Sequence, residues 1–291
     1  MKKDITVHKI VFGNAKSVLQ EHVADESVQL MVTSPPYWNV RNYDHPLQIG
    51  YHDTLEEYLD KLDEIWKEVI RVLLPDGKLA LNIGNVYYSE PGEKRRTTAN
   101  LTLLTWSRLN NFKELKFMGT IYWQKTTSRE GAVLFGSYPY PSNFMISNAI
   151  EPIFIFRKVG KRRISKDIKE RSKISLEEFR SFRDALWPIN GAASDKHTAA
   201  FPVEIPRRLI MMYSFVEDTV LDPFLGSGTS TKAALELGRN SIGIEVNSTY
   251  FGYMKEKLGI DDTTQPHEGL AKAKFEVSYT ETGEKRVYYK S

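Results

Sequence analysis

The sequence predicts an α/β chain built on parallel βαβ units. Two stretches carry that expectation: a strand–loop–helix–turn–strand run between residues 27 and 84, and a strand–Gly-rich turn–helix–strand run between 219 and 246. The length of 291 residues, 41% of them hydrophobic, allows one large core or a core with a smaller appendage.

The elements follow in order. ITVHKIVF (5–12) alternates loosely and reads as a strand. SVQLMVT (27–33) reads as a buried strand that ends at TSPPYW. Thr54 to Glu57 form a capping-box pattern ahead of a helix. Leu55, Tyr58, Leu59, Leu62, Ile65, Trp66, Val69 and Val72 mark its apolar face. Pro75-Asp76-Gly77 predicts a turn, and KLALNIG (78–84) a second buried strand. Such a pair is normally parallel and right-handed. Residues 86–200 are less regular and read as an insertion or small second lobe carried on the sheet. TVLD (219–222), a helix from Ser230 to Leu237 with Gly238 just past its end, and NSIGIEV (240–246) make the second unit. The tail predicts a hairpin around Thr282-Gly283.

DPFLGSGT follows a strand and opens a helix. Gly226 and Gly228 let the backbone turn sharply and let a ligand approach it. The helix start behind them presents unpaired N–H groups. Glu245 stands 23 residues after Asp222, where nucleotide-binding βαβ units hold ribose hydroxyls. The dinucleotide fingerprint G-x-G-x-x-G is absent, and so is the lysine of a phosphate cradle. A nucleoside without pyrophosphate, such as S-adenosylmethionine (AdoMet), suits the turn. A purely structural turn is the plain alternative.

Ser34-Pro35-Pro36-Tyr37 is a stiff loop. Each proline fixes φ and removes a donor, and Ser34 and Pro35 are pushed toward extended conformations. The loop therefore presents carbonyl oxygens, the Ser34 hydroxyl, and the flat faces of Tyr37 and Trp38. These groups suit an exocyclic amine of a nucleobase. Acceptors that bind both amino hydrogens localise the nitrogen lone pair toward a methyl donor, and an aromatic face holds the extruded base. A bare SPPY is more often an edge turn; only its combination with a nucleoside-binding half favours catalysis.

Composition narrows the chemistry. With no cysteine, the chain has no disulfide, no thiolate nucleophile and no cysteine-based zinc site. No apolar run approaches bilayer length, and the N-terminus shows no apolar signal segment. Residues 157–183 hold eleven Lys/Arg and four Asp/Glu, net +7, which leaves about −4 for the remainder. Such a segment predicts a polyanion contact, or else a solvated surface helix.

TSPPYW followed by DPFLGSGT resembles the β-class AdoMet-dependent DNA amino-methyltransferases of restriction–modification systems, cytosine-N4 type. GNAKSVLQEHVADESVQLMVTSPPY, IYWQK, EPIFIFRK and HTAAFPVEIPRRLI resemble further blocks of that family, over residues 5–258 and most weakly over 86–200. The resemblance implies a doubly wound, mostly parallel Rossmann-like sheet with an antiparallel hairpin and an inserted target-recognition region. The implied layout is a catalytic core of 1–85 and 197–260, a recognition insertion of 86–196, and a C-terminal hairpin extension of 261–291. Implied catalytic residues are Ser34, Pro35, Pro36 and Tyr37. Implied AdoMet contacts are Asp222, Pro223, Phe224, Gly226, Gly228, Thr229, Glu245 on the ribose, Asn247, Thr33 and Asn14, with Phe201 and Pro202 near the methionine end. Many relatives carry Gly-Asp where this chain has Gly13-Asn14; an Asn still hydrogen-bonds there. Double-stranded DNA is the implied partner, with Arg95, Arg96, Arg129, Lys161, Arg162 and Arg163 on it, and a cognate restriction endonuclease the functional partner. No metal and no membrane are expected, and a cytoplasmic, nucleoid-associated location is. Monomer and homodimer both stay open.

Methylation of cytosine at carbon 5 requires a cysteine nucleophile, so its absence excludes that route. Family members acting on adenine usually carry Asp or Asn before Pro-Pro, and those acting on cytosine N4 carry Ser or Thr. Ser34 therefore favours N4-cytosine, with adenine N6 as runner-up. A non-catalytic AdoMet- or nucleic-acid-binding module is the reading from another class; it predicts a broken loop, and this loop is intact. RNA as substrate would use the same chemistry.

Overall fold

The computed structural model describes residues 5–126, 141, 146, 148–191, 202–260 and 272–290. A ten-stranded sheet runs through it in the order β12-β11-β1-β10-β9-β2-β3-β7-β6-β8. Its left half comprises β1 (Thr6–Phe12), β9 (Thr219–Asp222), β10 (Asn240–Glu245), β11 (Ala273–Tyr279) and β12 (Lys285–Lys290). Its right half comprises β2 (Val28–Thr33), β3 (Leu73–Asn82), β6 (Leu115–Lys125), β7 (Ile150–Lys158) and β8 (Leu186–Ile189). The six strands from β11 to β3 are parallel, β7 is antiparallel to both neighbours, and β12 returns antiparallel to β11.

Helices cover both faces. On one lie α1 (Ala15–His22), α2 (Leu55–Val72) and α3 (Leu101–Asn110); on the other lie α6 (Glu204–Tyr213), α7 (Thr229–Glu236) and α8 (Phe251–Leu258). Strand β2 shows why a continuous apolar run was needed. Met31 packs toward α1 and α2, Leu30 and Val32 toward α6 and α7, and every residue of the strand is buried. Helix α2 starts on the expected capping box, with both reciprocal bonds between Thr54 and Glu57 present. Gly238 takes φ +70° just past α7, and Gly283 takes φ +67° in the terminal hairpin, as the turn chemistry predicts.

Two expectations change. The strand expected at 78–84 begins at Leu73, directly after α2; Asp76 at φ +65° absorbs the expected turn as an irregularity within β3. The segment read as an insertion supplies β6, β7 and β8 to the central sheet, and the C-terminal hairpin joins it through β11, paired along the whole of β1. Between β3 and α3, a two-stranded ribbon, β4 (Val86–Tyr88) and β5 (Thr97–Ala99), leaves the sheet at the C-terminal end of β3. Two short helices, α4 (Lys166–Arg171) and α5 (Leu176–Phe182), follow β7. No described helix is long and apolar enough to cross a membrane.

Candidate active site

Strands β9 and β2 are neighbours, yet the chain leaves β9 toward β10 on one side and β2 toward β3 on the other. The strand order reverses between them, and the crevice beyond their C-terminal ends is where open α/β sheets bind ligands. The two sequence motifs sit there, TSPPY after β2 and DPFLGSGT after β9.

The first loop is held from below. Trp38 has φ +36° and is buried, its indole N–H donates to the Asp53 carbonyl (2.9 Å), and a side chain at Gly50 would come within 2.8 Å of the Trp38 carbonyl oxygen. Trp38 is therefore core and not a second stacking face. Tyr58 of α2 donates to the Pro36 carbonyl (2.7 Å). Among the described residues no donor reaches the Pro35 carbonyl, so it stays open to a ligand. The Ser34 hydroxyl donates to the Tyr37 phenol oxygen (3.2 Å), which leaves the serine lone pairs free. Tyr37 in turn lies 3.1 Å from Glu151 Oε2 and 3.2 Å from Asn82 Oδ1. Lys125, at the end of β6, forms an ion pair with Glu151. Burial first, then the Glu151 carboxylate, raises the Tyr37 pKa well above its ordinary value.

The second loop is built on two carboxylates. Buried Asp222 accepts from Thr33 Oγ1 (2.6 Å), the Phe224 amide (3.0 Å) and the Ser230 hydroxyl. Its pKa is pushed up to about 6 by burial, against the pull of those three donors. Glu245 accepts from the Gly226 amide (2.8 Å) and the Asn247 amide (2.9 Å), and burial raises its pKa. Gly226 takes φ +55° with nothing within 4 Å of where a Cβ would stand, so the backbone is open to a ligand. Lys257 of α8 bonds the hydroxyls of Ser227 and Thr229 (3.0 Å to Thr229) and fastens the turn from behind. Between the two loops lies a cleft of about 350 Å³ including its open mouth, lined by Asn14, Pro223, Phe224 and Glu245.

Some expected contacts face elsewhere. Thr33, Asp222 and Thr229 are buried with their polar atoms committed to protein, so they hold the loops from behind and do not line the cleft. Gly228 begins α7 at φ +88° and faces Leu258 and Met254. Asn247 donates to the Tyr43 carbonyl (3.0 Å), and Pro202 begins the turn into α6. Phe201 and Arg129 lie outside the described residues. Sequence reasoning missed Leu47, Gln48 and Ile49, which form a wall of the cleft from an irregular loop. It also missed Asn82, Lys125 and Glu151; a carboxylate in the otherwise apolar EPIFIF was the available signal.

The basic segment is a correction. Arg162 bonds Gln29 and buried Asp218 (2.5 Å each), and Arg171 pairs with Glu217 (2.6 Å). Gln29 lies near the start of β2 and Asp218 precedes β9, so Lys161, Arg162 and Arg163 sit at the N-terminal end of the parallel strands. Roughly 13 Å of strand, four residues at about 3.3 Å, separates that end from the catalytic loop. Arg162 is a structural clamp. Arg95 and Arg96, by contrast, are exposed on the ribbon that leaves the catalytic end.

Comparison with known proteins agrees with this geometry. The DNA methylase family model that covers N6 and N4 enzymes matches residues 28–256. The type II methyltransferase M.MjaI of Methanocaldococcus jannaschii is 35% identical over 89% of this chain and 94% of its own length. M.SmaI of Serratia marcescens, also a type II methyltransferase, is 30% identical over 86% and 90%. The structure of a DNA modification methylase from Thermus thermophilus, TTHA0409, complexed with S-adenosyl-L-methionine, superposes with a TM-score of 0.70 at 34% identity, over 87% of this chain and 95% of that one. Together with the paired loops at the switch point of the sheet, these likenesses place the chain in the N6/N4 DNA methylase family.

Proposed function

We propose that this protein is an AdoMet-dependent DNA methyltransferase that modifies the N4 amine of a cytosine flipped out of the duplex, as the modification arm of a restriction–modification system. The observation that carries this reading is the meeting of Ser34 and the open Pro35 carbonyl with the Glu245 cleft across one crevice, joined by the Thr33–Asp222 bond.

The cleft fits AdoMet. Its volume is in the range of small-ligand pockets. Gly226 leaves room at the backbone, and the Glu245 carboxylate is the acceptor that ribose hydroxyls require. Phe224 and Asn14 would complete the contact. When bound, AdoMet supplies an activated methyl group on sulfur. The chain then has two tasks. Ser34 Oγ and the Pro35 carbonyl accept the two amino hydrogens, which turns the nitrogen lone pair away from the ring. Tyr37 holds the extruded base beside them. Ser34 in place of an acidic or amide side chain supports cytosine, because a hydroxyl that only accepts from the amine adds no second charge beside Glu151. Arg95 and Arg96 are the phosphate contacts this geometry favours.

Enzyme, AdoMet and mixed-sequence duplex DNA are incubated, and the DNA is digested to nucleosides for mass spectrometry. N4-methyldeoxycytidine is expected. N6-methyldeoxyadenosine would overturn the choice of base, and no methylated nucleoside would overturn the activity. Ser34→Ala should abolish most transfer while AdoMet still binds; equal loss of both would remove Ser34 from the role given to it.

A further inference from the structure

We propose that Glu151 is a positioning residue of the transfer: it ends a hydrogen-bonded chain, Ser34–Tyr37–Glu151, that carries away the proton an exocyclic amine loses on methylation. The proposal deepens the functional reading above and rests on its amine acceptor.

The donors run one way. Ser34 donates to Tyr37 (3.2 Å), and Tyr37 lies 3.1 Å from Glu151 Oε2. Asn82 Oδ1, at 3.2 Å, competes for the phenol proton, but an amide does not take up a proton at neutral pH. Glu151 is thus the one base at the end of the chain among the described residues. Its carboxylate is buried and paired with Lys125, whose side chain is about one-third exposed. Tyr37 and Lys125 are the titratable groups that face it, and Tyr58 acts on Tyr37 from α2. Gly84 completes the fit, because a Cβ there would stand 3.0 Å from Glu151 Oε1 and 3.1 Å from the Tyr37 ring. A side chain at that position would wedge between the two.

The balance is complete. The amine nitrogen forms a bond to the methyl carbon as the carbon–sulfur bond of AdoMet breaks, and that electron pair stays on sulfur. The nitrogen then carries one proton too many. It passes to Ser34 Oγ as the serine proton moves to Tyr37 and the phenol proton moves to Glu151. The resulting carboxylic acid returns its proton to water beside Lys125. Because burial and Glu151 keep the phenol from ionising, Tyr37 gives up one proton only as it gains another. Lys125 holds Glu151 as a carboxylate between turnovers.

The test is single-turnover DNA methylation in H₂O and D₂O by the full chain, with AdoMet affinity by calorimetry and Tm alongside. Glu151→Gln should slow transfer by about 10²–10⁴-fold, the usual contribution of a positioned base, and lose the wild-type solvent isotope effect. AdoMet affinity should change less than twofold. Tyr37→Phe should cost a similar factor, and the double variant no more than either, because both break one chain. An unchanged isotope effect in Glu151→Gln, or additive losses in the double variant, would overturn the relay even if activity falls. Should Glu151→Gln fail to fold, Tyr37→Phe alone decides: a wild-type isotope effect in it overturns the proposal. Wild-type enzyme that methylates no DNA would overturn the functional reading and this proposal together.

Discussion

The Thr33–Asp222 hydrogen bond joins the strand of the catalytic loop to the strand of the Gly-rich turn, and Thr33→Val removes it with almost no change in shape. Thr33 is 1% exposed and donates 2.6 Å to a carboxylate that is itself 3% exposed. A bond to a charged acceptor contributes about 1.5–3 kcal/mol and a neutral one about 0.5–1.5. The variant should therefore lose ~2 kcal/mol where Asp222 is ionised and ~1 kcal/mol where it is protonated. The sign follows from the raised carboxyl. Asp222 titrates near 6 in the fold, so between about pH 4 and 6 the folded state binds more protons than the unfolded chain. Its contribution to stability falls as pH rises through that window. Removing a donor to the ionised form moves the folded midpoint from about 6 to ~6.7, which equals ~1 kcal/mol. The loss in Thr33→Val should thus grow as pH rises from 5 to 8.5. Urea unfolding of both proteins at those two pH values measures it, with m unchanged. A loss equal at both pH values, or below ~0.5 kcal/mol at pH 8.5, would refute the charged bond and with it the mechanical link between the two loops.

Three further outcomes are expected. His8 is buried against Phe275, bonded to Ser241 (2.8 Å), and burial, then Lys290, lowers its pKa to about 3. The unfolded chain alone takes up this proton between pH 6.5 and 3, so about 2 kcal/mol of stability should be lost by pH 5, and His8→Leu should not show that slope in urea titrations. Arg162→Ala should cost about 2–3 kcal/mol, because Asp218 is left buried and unpaired, and should leave DNA affinity unchanged; Arg95→Ala and Arg96→Ala should each lower the salt slope of DNA binding by ~0.9 with little loss of stability. Gly243→Ala would set its Cβ 2.4 Å from Leu225, so about 1–3 kcal/mol of strain should appear together with weaker AdoMet binding by calorimetry.

Much of the fold could be read from local pattern. Helix α2 announced both its start, through Thr54 and Glu57, and its buried face, from Tyr58 to Val72. Strand β2, being covered on both faces, could only be a continuous apolar run. The turn glycines 238 and 283 required positive φ and took it. What pattern could not reveal was lateral order. Nothing in ITVHKIVF states that its neighbours are β10 and β11, more than 220 residues away. Nor does Pro75-Asp76-Gly77 state that a strand will run straight through it.

The site divides along the same line. Ser34, Pro35, Pro36, Phe224 and Glu245 were legible because their chemistry is local to a motif, and the fold then brings the two motifs together. Charge was not legible in that way, because eleven cations in a row state a composition and not a position. The direction of β7 decides the matter: it runs antiparallel to β3, so the residues after Lys158 emerge at the end opposite Ser34. Glu151 is the converse. One carboxylate at the start of that same strand carried no compositional weight, yet the same direction of travel delivers it to the catalytic end, 3.1 Å from Tyr37. A strand that enters the sheet beside the active site and leaves it at the far edge thus contributes its single acid to the chemistry and its many bases to the scaffold.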